Sequence, residues 1–463
     1  MFKQYCAPEI CLAVLPLFLL AFVFCVYSAA AQSNNPGIQS SLSEESSSRI
    51  VAFTTPREST IDSLVILSPQ QLISDILHFN NSVNAIETKA EALATRMQYV
   101  GARPDPALLI AAQPLPVYTA RGKQISQVRL EQMISIGGQR RLTEDLAGLE
   151  AEMGYDDSQI LAAHTILEAQ LAYVEIQRQI EHRNLLRRFR DTLNQYEQIA
   201  LQKYEVGAGR QQDVLKIQLE RSRLAQRSME IDRVIRIQEL FLERVLEHPV
   251  IVNYVGEEPP DQPVDFSMID SRADVLRLEK AQEQIDIRRN LLNAYDRPEV
   301  GASITWISIA DANVPANSDG RDALAVGLMV RLPIGRRANK ARLQELELLE
   351  RHNEEKMISL RRSIDAMVRD HLERISQDEA RIHHLKFSLL PEINTLLEAS
   401  LASYQNGEMD FLNLLDSERM SYQIKQEHID LASRIRASQL TLTRISGRLD
   451  AQIKSESRLG VRP

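Results

Sequence analysis

Apolar residues recur at steps of three and four residues over four long stretches of the chain, and this spacing predicts amphipathic helices. The first stretch, about 139–205, contains no proline, and at 1.5 Å per residue it would form a rod of roughly 100 Å. Further rods are predicted over about 211–247, over 336–405 and after Gly407, with shorter helices over 69–100 and 272–295. Pro391 lies inside the third rod, where it predicts a local bend.

Four shorter segments alternate apolar and polar residues, and this alternation predicts β-strands. They cover 107–119, 125–136, 299–309 and 323–334. In the second segment Val128, Leu130 and Ile134 share one face, whereas Arg129 and Glu131 lie on the other. The predicted strands therefore have one apolar and one polar face.

The sequence contains an internal repeat, and such a repeat indicates that the fold is built from two similar units. Segment 201–207 (LQKYEVG) corresponds to 401–407 (LASYQNG) at an offset of 200, and segment 128–137 corresponds to 326–335 at an offset of 198. Each repeat contains a helix, two strands, a long helix, a glycine turn and a second long helix. Gly207 and Gly407 are predicted where the chain reverses, because a positive φ is easily accessible only to glycine.

Segment 1–31 has the pattern of a secretory signal peptide. Lys3 precedes an apolar run that closes on an Ala-x-Ala pattern ending at Ala31; a membrane anchor is the alternative. The predicted organisation is a signal peptide (1–31), a Ser-rich segment (32–67), the first repeat (68–248), a linker (249–270), the second repeat (271–457) and a tail (458–463). The three cysteines lie at positions 6, 11 and 25, so the cleaved chain would contain no disulfide.

Composition narrows the possible functions. The formal charge of −9 argues against a nucleic-acid partner, since phosphate binding needs a basic surface. The sequence contains no Gly-rich phosphate loop, nucleophile elbow or carboxylate dyad, so neither an enzyme nor a cofactor is predicted. His383 and His384 point about 100° apart on a helix, and we therefore expect no metal site there.

Four strands cannot close a barrel, and an open sheet edge is not tolerated in lipid. If the strands enter a membrane, several copies of the chain must pool them. Arg, Glu and Gln occur along the whole length of the rods, so the rods should extend into an aqueous space. These features indicate a conduit that spans a periplasm.

The chain resembles the outer-membrane efflux proteins, the TolC-like ducts of Gram-negative bacteria, from about Ser68 to its C-terminus. The duplicated Tyr-x-x-Gly turn carries the resemblance, with Asp213-Val214-Leu215 after the first copy and Asn413-Leu414-Leu415-Asp416 after the second. Pro104-Asp105-Pro106 before the first strand and Arg272-Ala273-Asp274-Val275 at the start of the second repeat add to it.

The resemblance implies a mainly α fold with a small β part. It also implies a homotrimer with a twelve-stranded barrel in outer-membrane lipid and a twelve-helix tunnel in the periplasm. Its partners would be a periplasmic adaptor (membrane fusion) protein and an inner-membrane pump.

The resemblance also assigns candidate sites. Asn413 and Asp416 match the family's periplasmic gate, although asparagine replaces one of its two carboxylates. The two turns, with Tyr204, Gly207, Tyr404 and Gly407, would form the tip where the adaptor docks; alternatively, each tyrosine packs its own turn. Trp306 is a candidate membrane-interface aromatic.

Three functions remain open at this stage. The first is a passive efflux duct, and the second is a type I protein-secretion channel of the same fold. The third is an exported coiled-coil scaffold, which would have no use for two alternating strand pairs at equivalent places in two repeats.

Overall fold

In the computed structural model, the described residues are 65–66, 69–119, 122–134, 137–251, 266–311, 320–333 and 336–459. Most of them are helical. The helices are α1 (Pro69–Phe79), α2 (Asn81–Val100), α3 (Gln139–Glu205), α4 (Gln211–Leu246), α5 (Ala273–Tyr295), α6 (Arg336–His384), α7 (Leu390–Gln405), α8 (Phe411–Ile445) and α9 (Arg448–Leu459). The strands are β1 (Val65–Ile66), β2 (Ala107–Thr119), β3 (Gly122–Ile134), β4 (Val250–Ile251), β5 (Glu299–Ala310) and β6 (Ala323–Arg331). The four predicted rods and the four long strands are thus present.

The long helices lie side by side. In the half that carries the glycine turns, α4 packs on α3, α3 packs on α8, and α8 packs on α6 and α7. In the half next to the sheet, the order is α2, α3, α5 and α6. Helix α3, with 67 residues, takes part in both halves and is about 100 Å long at the standard helical rise.

The long strands form one antiparallel sheet in the order β2-β3-β5-β6. The two central strands come from different repeats, and Val128 of β3 lies opposite Trp306 of β5. Strands β2 and β6 are the edges, and each pairs on one side only among the described residues. The sheet is therefore open at both ends.

The main hydrophobic core follows α3 and its neighbours. Ile166 and Leu193 of α3, Ile217 of α4 and Leu414 of α8 are fully buried members of one cluster. This core stabilises both helical hairpins because burial of apolar area is the dominant favourable contribution to folding.

The single helix expected over 69–100 is wrong, because Asn80 divides it into α1 and α2. The Asn80 side chain accepts a hydrogen bond from Val83 N at 3.0 Å and so caps α2. Its Nδ2 donates to Val245 O at 2.8 Å, at the end of α4. The break is thus fixed by a partner 165 residues away.

A bend is expected at Pro391, and the structure has a π-helical segment, Leu385–Leu389, just before it, between α6 and α7. Proline has no N–H to donate to the preceding turn. The neighbouring Leu390 N–H donates instead to Leu385 O, five residues back. Such single-turn π segments are a recognised way to absorb a disruption within a long helix.

The predicted linker begins with a short strand. Val250 and Ile251 pair in parallel with Val65 and Ile66 at the end of the Ser-rich segment, and 266–271 forms a 3₁₀ helix. The signal peptide, the rest of the Ser-rich segment and most of the linker and tail lie outside the described residues. The domain boundaries given above stay a prediction.

Candidate channel elements in the sheet and the turns

One face of the sheet is apolar and exposed across all four strands. The register aligns Ile110, Val128, Trp306 and Leu324 in one row across the sheet. The next row consists of Leu108, Leu130, Ile304 and Val326. Leu328, further along β6, is 81% exposed. A contiguous exposed apolar surface of this kind marks a site that contacts lipid or another protein.

The opposite face of the two central strands carries most of their charged and amide side chains. Gln127, Arg129 and Glu131 of β3 lie opposite Ile307, Thr305 and Ser303 of β5. Arg129 Nε donates to Thr305 Oγ1 at 3.1 Å. The predicted alternation of β3 is therefore present in the sheet, with polar side chains concentrated on one face.

Trp306 lies on the apolar face and is 48% exposed. Its strand neighbours in the register are Val128 and Leu324. The candidate interface aromatic is thus at the surface that would meet lipid, although its depth in a membrane stays a prediction.

The two glycine turns have the same backbone. Gly207 and Gly407 have φ of +75° and +80°, and each donates its N–H to the carbonyl of the tyrosine three residues back. In each turn the next residue donates to the carbonyl five residues back, as in a Schellman motif. The sequence repeat therefore corresponds to a structural repeat at both helix ends.

The two tyrosines differ in their environments. Tyr404 is 4% exposed, and its ring lies against Phe411 at 5.6 Å between centroids. Lys203 donates to Tyr404 O and lies over the same ring at 4.3 Å. Burial, together with the nearby carboxylates Asp213 and Asp410, raises the pKa of Tyr404 to about 12. Tyr404 thus packs its own turn.

Tyr204 is 48% exposed. The interpretation that each tyrosine packs its own turn therefore describes Tyr404 better than Tyr204. Tyr204 presents an amphipathic surface at the first turn of the kind that protein partners often contact.

The gate candidates lie at the start of α8, and both are exposed. Asp416 accepts a hydrogen bond from Arg419 at 3.3 Å. In the first repeat the corresponding positions are Asp213, which is buried, and Lys216. Burial raises the pKa of Asp213, and the Asp410 carboxylate raises it further. Asp213 of the first repeat is thus buried, whereas Asp416 of the second repeat is exposed to solvent.

Polar contacts join the two hairpins above the turns. Arg419 of α8 donates through two nitrogens to the buried Glu220 of α4, and Tyr196 of α3 donates to Glu418 of α8. These contacts could not be predicted from the sequence, because helical periodicity identifies the face of a helix but not the residue opposite it on another helix.

Within the described residues, no group of three or more His, Cys, Asp or Glu side chains is arranged to hold a metal ion. The His383 ring contacts Phe387 at 4.5 Å between centroids. In the same part of the chain, no helix combines the length and the apolar character needed to cross a membrane.

No protein-family model and no curated protein sequence matches the chain. Solved structures do match it. The outer-membrane protein VceC of Vibrio cholerae is 17% identical, with a TM-score of 0.67 over 82% of this chain and 96% of VceC. The outer-membrane channel CmeC of Campylobacter jejuni is 14% identical, with a TM-score of 0.67 over 84% and 89% of the two chains.

A third match is the MtrE outer-membrane channel of Neisseria gonorrhoeae, solved in an open state. It is 17% identical, with a TM-score of 0.65 over 82% of this chain and 88% of MtrE. The chain has the fold of these outer-membrane channels, and the resemblance to the outer-membrane efflux proteins is confirmed at the level of the fold.

Proposed function

We propose that the chain is the outer-membrane exit duct of a tripartite efflux system. It would conduct substrates passively from an inner-membrane pump and a periplasmic adaptor to the exterior of a Gram-negative cell, without catalysing a reaction. The observation that carries this proposal is the exposed apolar face of the sheet, which lies on the same chain as helical rods about 100 Å long.

The apolar face favours lipid over water. Each Å² of apolar surface removed from water contributes about 25 cal/mol, and side chains such as Leu324, Val326 and Leu328 are almost fully available for such burial. A sheet in lipid must have no open edges, so β2 and β6 need partners. Three copies would supply twelve strands, the homotrimeric barrel that the resemblance implies.

The glycine turns would form the periplasmic tip. Gly207 and Gly407 reverse the chain at the free ends of the two hairpins, and the exposed Tyr204 would contact the adaptor. Tyr404, which is buried on Phe411, would act indirectly by holding the shape of the second turn.

The gate would lie just above this tip. Asp416 of three copies would form a ring of like charges, which favours cations at a constriction. Asn413 would contribute a polar but uncharged position to the same ring. The contacts from Arg419 to Glu220 and from Tyr196 to Glu418 would hold the hairpins in one arrangement.

Two alternatives make different predictions. A type I secretion channel would share the fold and the location but pass an unfolded protein, so it differs in cargo rather than in geometry. A coiled-coil scaffold would remain outside the membrane, and the apolar sheet face disfavours it because that face would stay in water.

The first experiment is to fractionate the membranes of expressing cells and measure the mass of the extracted protein by size exclusion with light scattering. An outer-membrane trimer would support the duct. A soluble periplasmic monomer or dimer would overturn it in favour of the scaffold.

A matched pair of variants tests the sheet face itself. Val326→Arg places a charge on the apolar face, whereas Ala325→Arg places it on the opposite face of the same strand. A charge on the lipid side of a barrel costs about 2–4 kcal/mol at mid-membrane, so only Val326→Arg should reduce the amount in the outer membrane. Equal effects of the two substitutions would contradict lipid contact at Val326.

A further inference from the structure

We propose that the polar face of the sheet carries a binding site for a soft monovalent cation, Ag(I) or Cu(I), formed by the thioether sulfurs of Met133 and Met329. Met133 lies near the end of β3, and Met329 lies near the end of β6. Both strand ends adjoin the long helices that follow them in the chain. The inference concerns the sheet of a single chain, so its test is independent of the proposed duct.

The two methionines flank a glycine in one row of the sheet. The register places Met133 of β3 opposite Gly301 of β5, and Gly301 opposite Met329 of β6. Residues two positions apart on a strand share a face, so this row lies on the same face as the neighbouring pair of Glu131 and Ser303. The two thioethers are therefore on the polar face of the sheet.

The missing side chain of Gly301 lets the two methionines approach each other. A Cβ on Gly301 would lie 2.6 Å from Met133 Sδ and 3.4 Å from Met329 Cβ. Since both distances start from the same point, Met133 Sδ lies within about 6 Å of Met329 Cβ. A glycine inside a strand weakens the strand, and it often marks a place where a ligand approaches closely. Gly301 thus opens a gap between residues that lie two strands apart.

The two sulfurs have the reach to bind one ion. Only two bonds separate Met329 Cβ from its sulfur, and methionine is an unbranched side chain with three rotatable bonds. Metal–sulfur bonds are about 2.3 Å long in zinc sites, so two sulfurs on one ion of similar size lie roughly 4–5 Å apart. Rotation of the Met329 side chain, which is 40% exposed, brings its sulfur to this spacing without movement of the strands.

The donor atoms determine the kind of cation. A thioether sulfur is a soft, uncharged ligand that favours Cu(I), whereas Mg²⁺ and Ca²⁺ take oxygen ligands. Glu131 precedes Met133 by two residues on the same face, and its carboxylate would balance the single positive charge. Gly327 lies beside Ser303 on this face and adds no side chain to the gap. The site therefore suits a soft ion of charge +1.

Protection from oxidation tests the site on the unaltered chain. The protein is purified in detergent and treated with N-ethylmaleimide, because any remaining cysteine thiol would compete for silver. Dilute hydrogen peroxide, which converts methionine to its sulfoxide, is then added with and without silver nitrate in chloride-free buffer. Mass spectrometry of the peptides measures the oxidation rate of each methionine.

Ag(I) should slow the oxidation of Met133 and Met329 together, because coordination engages the sulfur lone pair that peroxide attacks. The effect should be complete at one ion per chain. Met229, which is 72% exposed on α4, should oxidise at the same rate with and without silver. No protection of Met133 and Met329, or equal protection of all three methionines, would overturn the site.

Single substitutions test each sulfur separately. Met133→Leu and Met329→Leu nearly conserve side-chain volume, so the fold should be retained. Each should raise the Kd for Ag(I), measured by isothermal titration calorimetry, at least about tenfold, since the loss of even an outer partner of a metal ligand weakens metal binding by that factor. Met229→Leu is the matched control and should leave the Kd unchanged. An unchanged Kd in either of the first two variants, or an equal rise in all three, would contradict the proposal.

Gly301→Ala tests the gap between the sulfurs. The added Cβ would occupy the position 2.6 Å from Met133 Sδ, so it should displace this sulfur and weaken Ag(I) binding although both methionines remain. Far-ultraviolet circular dichroism checks that the variant is folded, and the leucine variants test the site if it is not. A folded Gly301→Ala variant with the affinity of the parent would show that the gap is not needed and would overturn the proposed geometry.

Discussion

The two glycine turns have the same backbone but different surroundings. At the first turn Tyr204 is exposed and the following helix begins with the exposed Gln211. At the second turn Tyr404 is buried and the helix begins with Phe411, which is fully buried. The helices that follow also differ, since α4 lies at the edge of the layer and α8 lies between α3 and α6–α7.

This difference indicates that the repeat conserves the geometry of the chain reversal and that the position in the layer determines which side chains are buried. Leu215 and Leu415 are equivalent in sequence, but Leu215 is exposed on α4 and Leu415 is buried on α8. At Leu215 an apolar side chain that α8 would bury inside one chain stays exposed and is available for contact with a second copy. The following changes test this distinction.

The largest expected effect is at the first residue of the helix that follows the second glycine turn. Phe411→Ala should destabilise the protein by about 3–5 kcal/mol, as for other buried phenylalanines, because it removes the ring that packs on Tyr404. Gln211→Ala should change stability by less than about 0.5 kcal/mol. Urea unfolding of the detergent-solubilised proteins measures both, and a similar loss in the two variants would contradict the asymmetry between the turns.

The glycines should behave alike, in contrast to the residues around them. A Cβ at Gly207 or Gly407 would meet no heavy atom within 4 Å, so the cost of valine is the left-handed backbone, about 1–2 kcal/mol. Gly207→Val and Gly407→Val should therefore destabilise the chain equally and impair efflux by distorting the tip. Normal efflux at a normal protein level would contradict the role of the turn.

Gly209 provides a control of a different kind. A Cβ there would lie 2.9 Å from Lys203 Cβ and from Tyr204 N, whereas the second repeat has Met409 at the equivalent position. Gly209→Met should lower stability more than Met409→Gly in the same urea unfolding measurement, because only the first turn has no room for a side chain at this position.

The sequence predicted the rods, the turns and the alternating strands because the signals for these elements are local. Proline and glycine delimit the helices, and a period of two or of 3.6 residues identifies the buried face. The break at Asn80 could not be predicted, since its partner Val245 O lies on another helix. The unequal burial of Tyr204 and Tyr404 could not be predicted from the sequence either. A duplicated motif does not show whether its helix lies inside the helical layer or at its edge.

A smaller effect on stability is expected at His182, where the two hairpins contact each other. His182 of α3 is buried, and its Nε2 lies 3.0 Å from Asp430 Oδ1 of α8, whereas the equivalent position of the second repeat is Ile382. Burial lowers the pKa of His182 below its ordinary value of 6.5, and the Asp430 carboxylate offsets this only in part.

The sign of the pH dependence follows from this shift. The folded chain binds a proton at His182 less readily than the unfolded chain, so the contribution to stability is present above pH 6.5 and is lost as the pH falls towards the folded pKa. His182→Gln should make the free energy of unfolding less dependent on pH between 7 and about 5. His371 and His428 shift in the same direction, so the informative quantity is the difference between parent and variant. An unchanged pH profile would contradict this prediction.

The smallest effect on stability is expected at Asp416, where the contrast between repeats concerns charge rather than packing. Its side chain is 65% exposed and contacts Arg419 at 3.3 Å, so Asp416→Asn should cost at most about 1 kcal/mol. If three copies bring this carboxylate to a constriction, its removal should lower the cation-to-anion permeability ratio in planar bilayers, because a ring of like charges concentrates counter-ions. Lys216→Gln changes the equivalent position of the first repeat, on the edge helix α4, and should leave the ratio nearly unchanged. If Lys216→Gln raises the ratio as much as Asp416→Asn lowers it, the selectivity reflects overall charge at the tip, and the gate assignment of Asp416 is wrong.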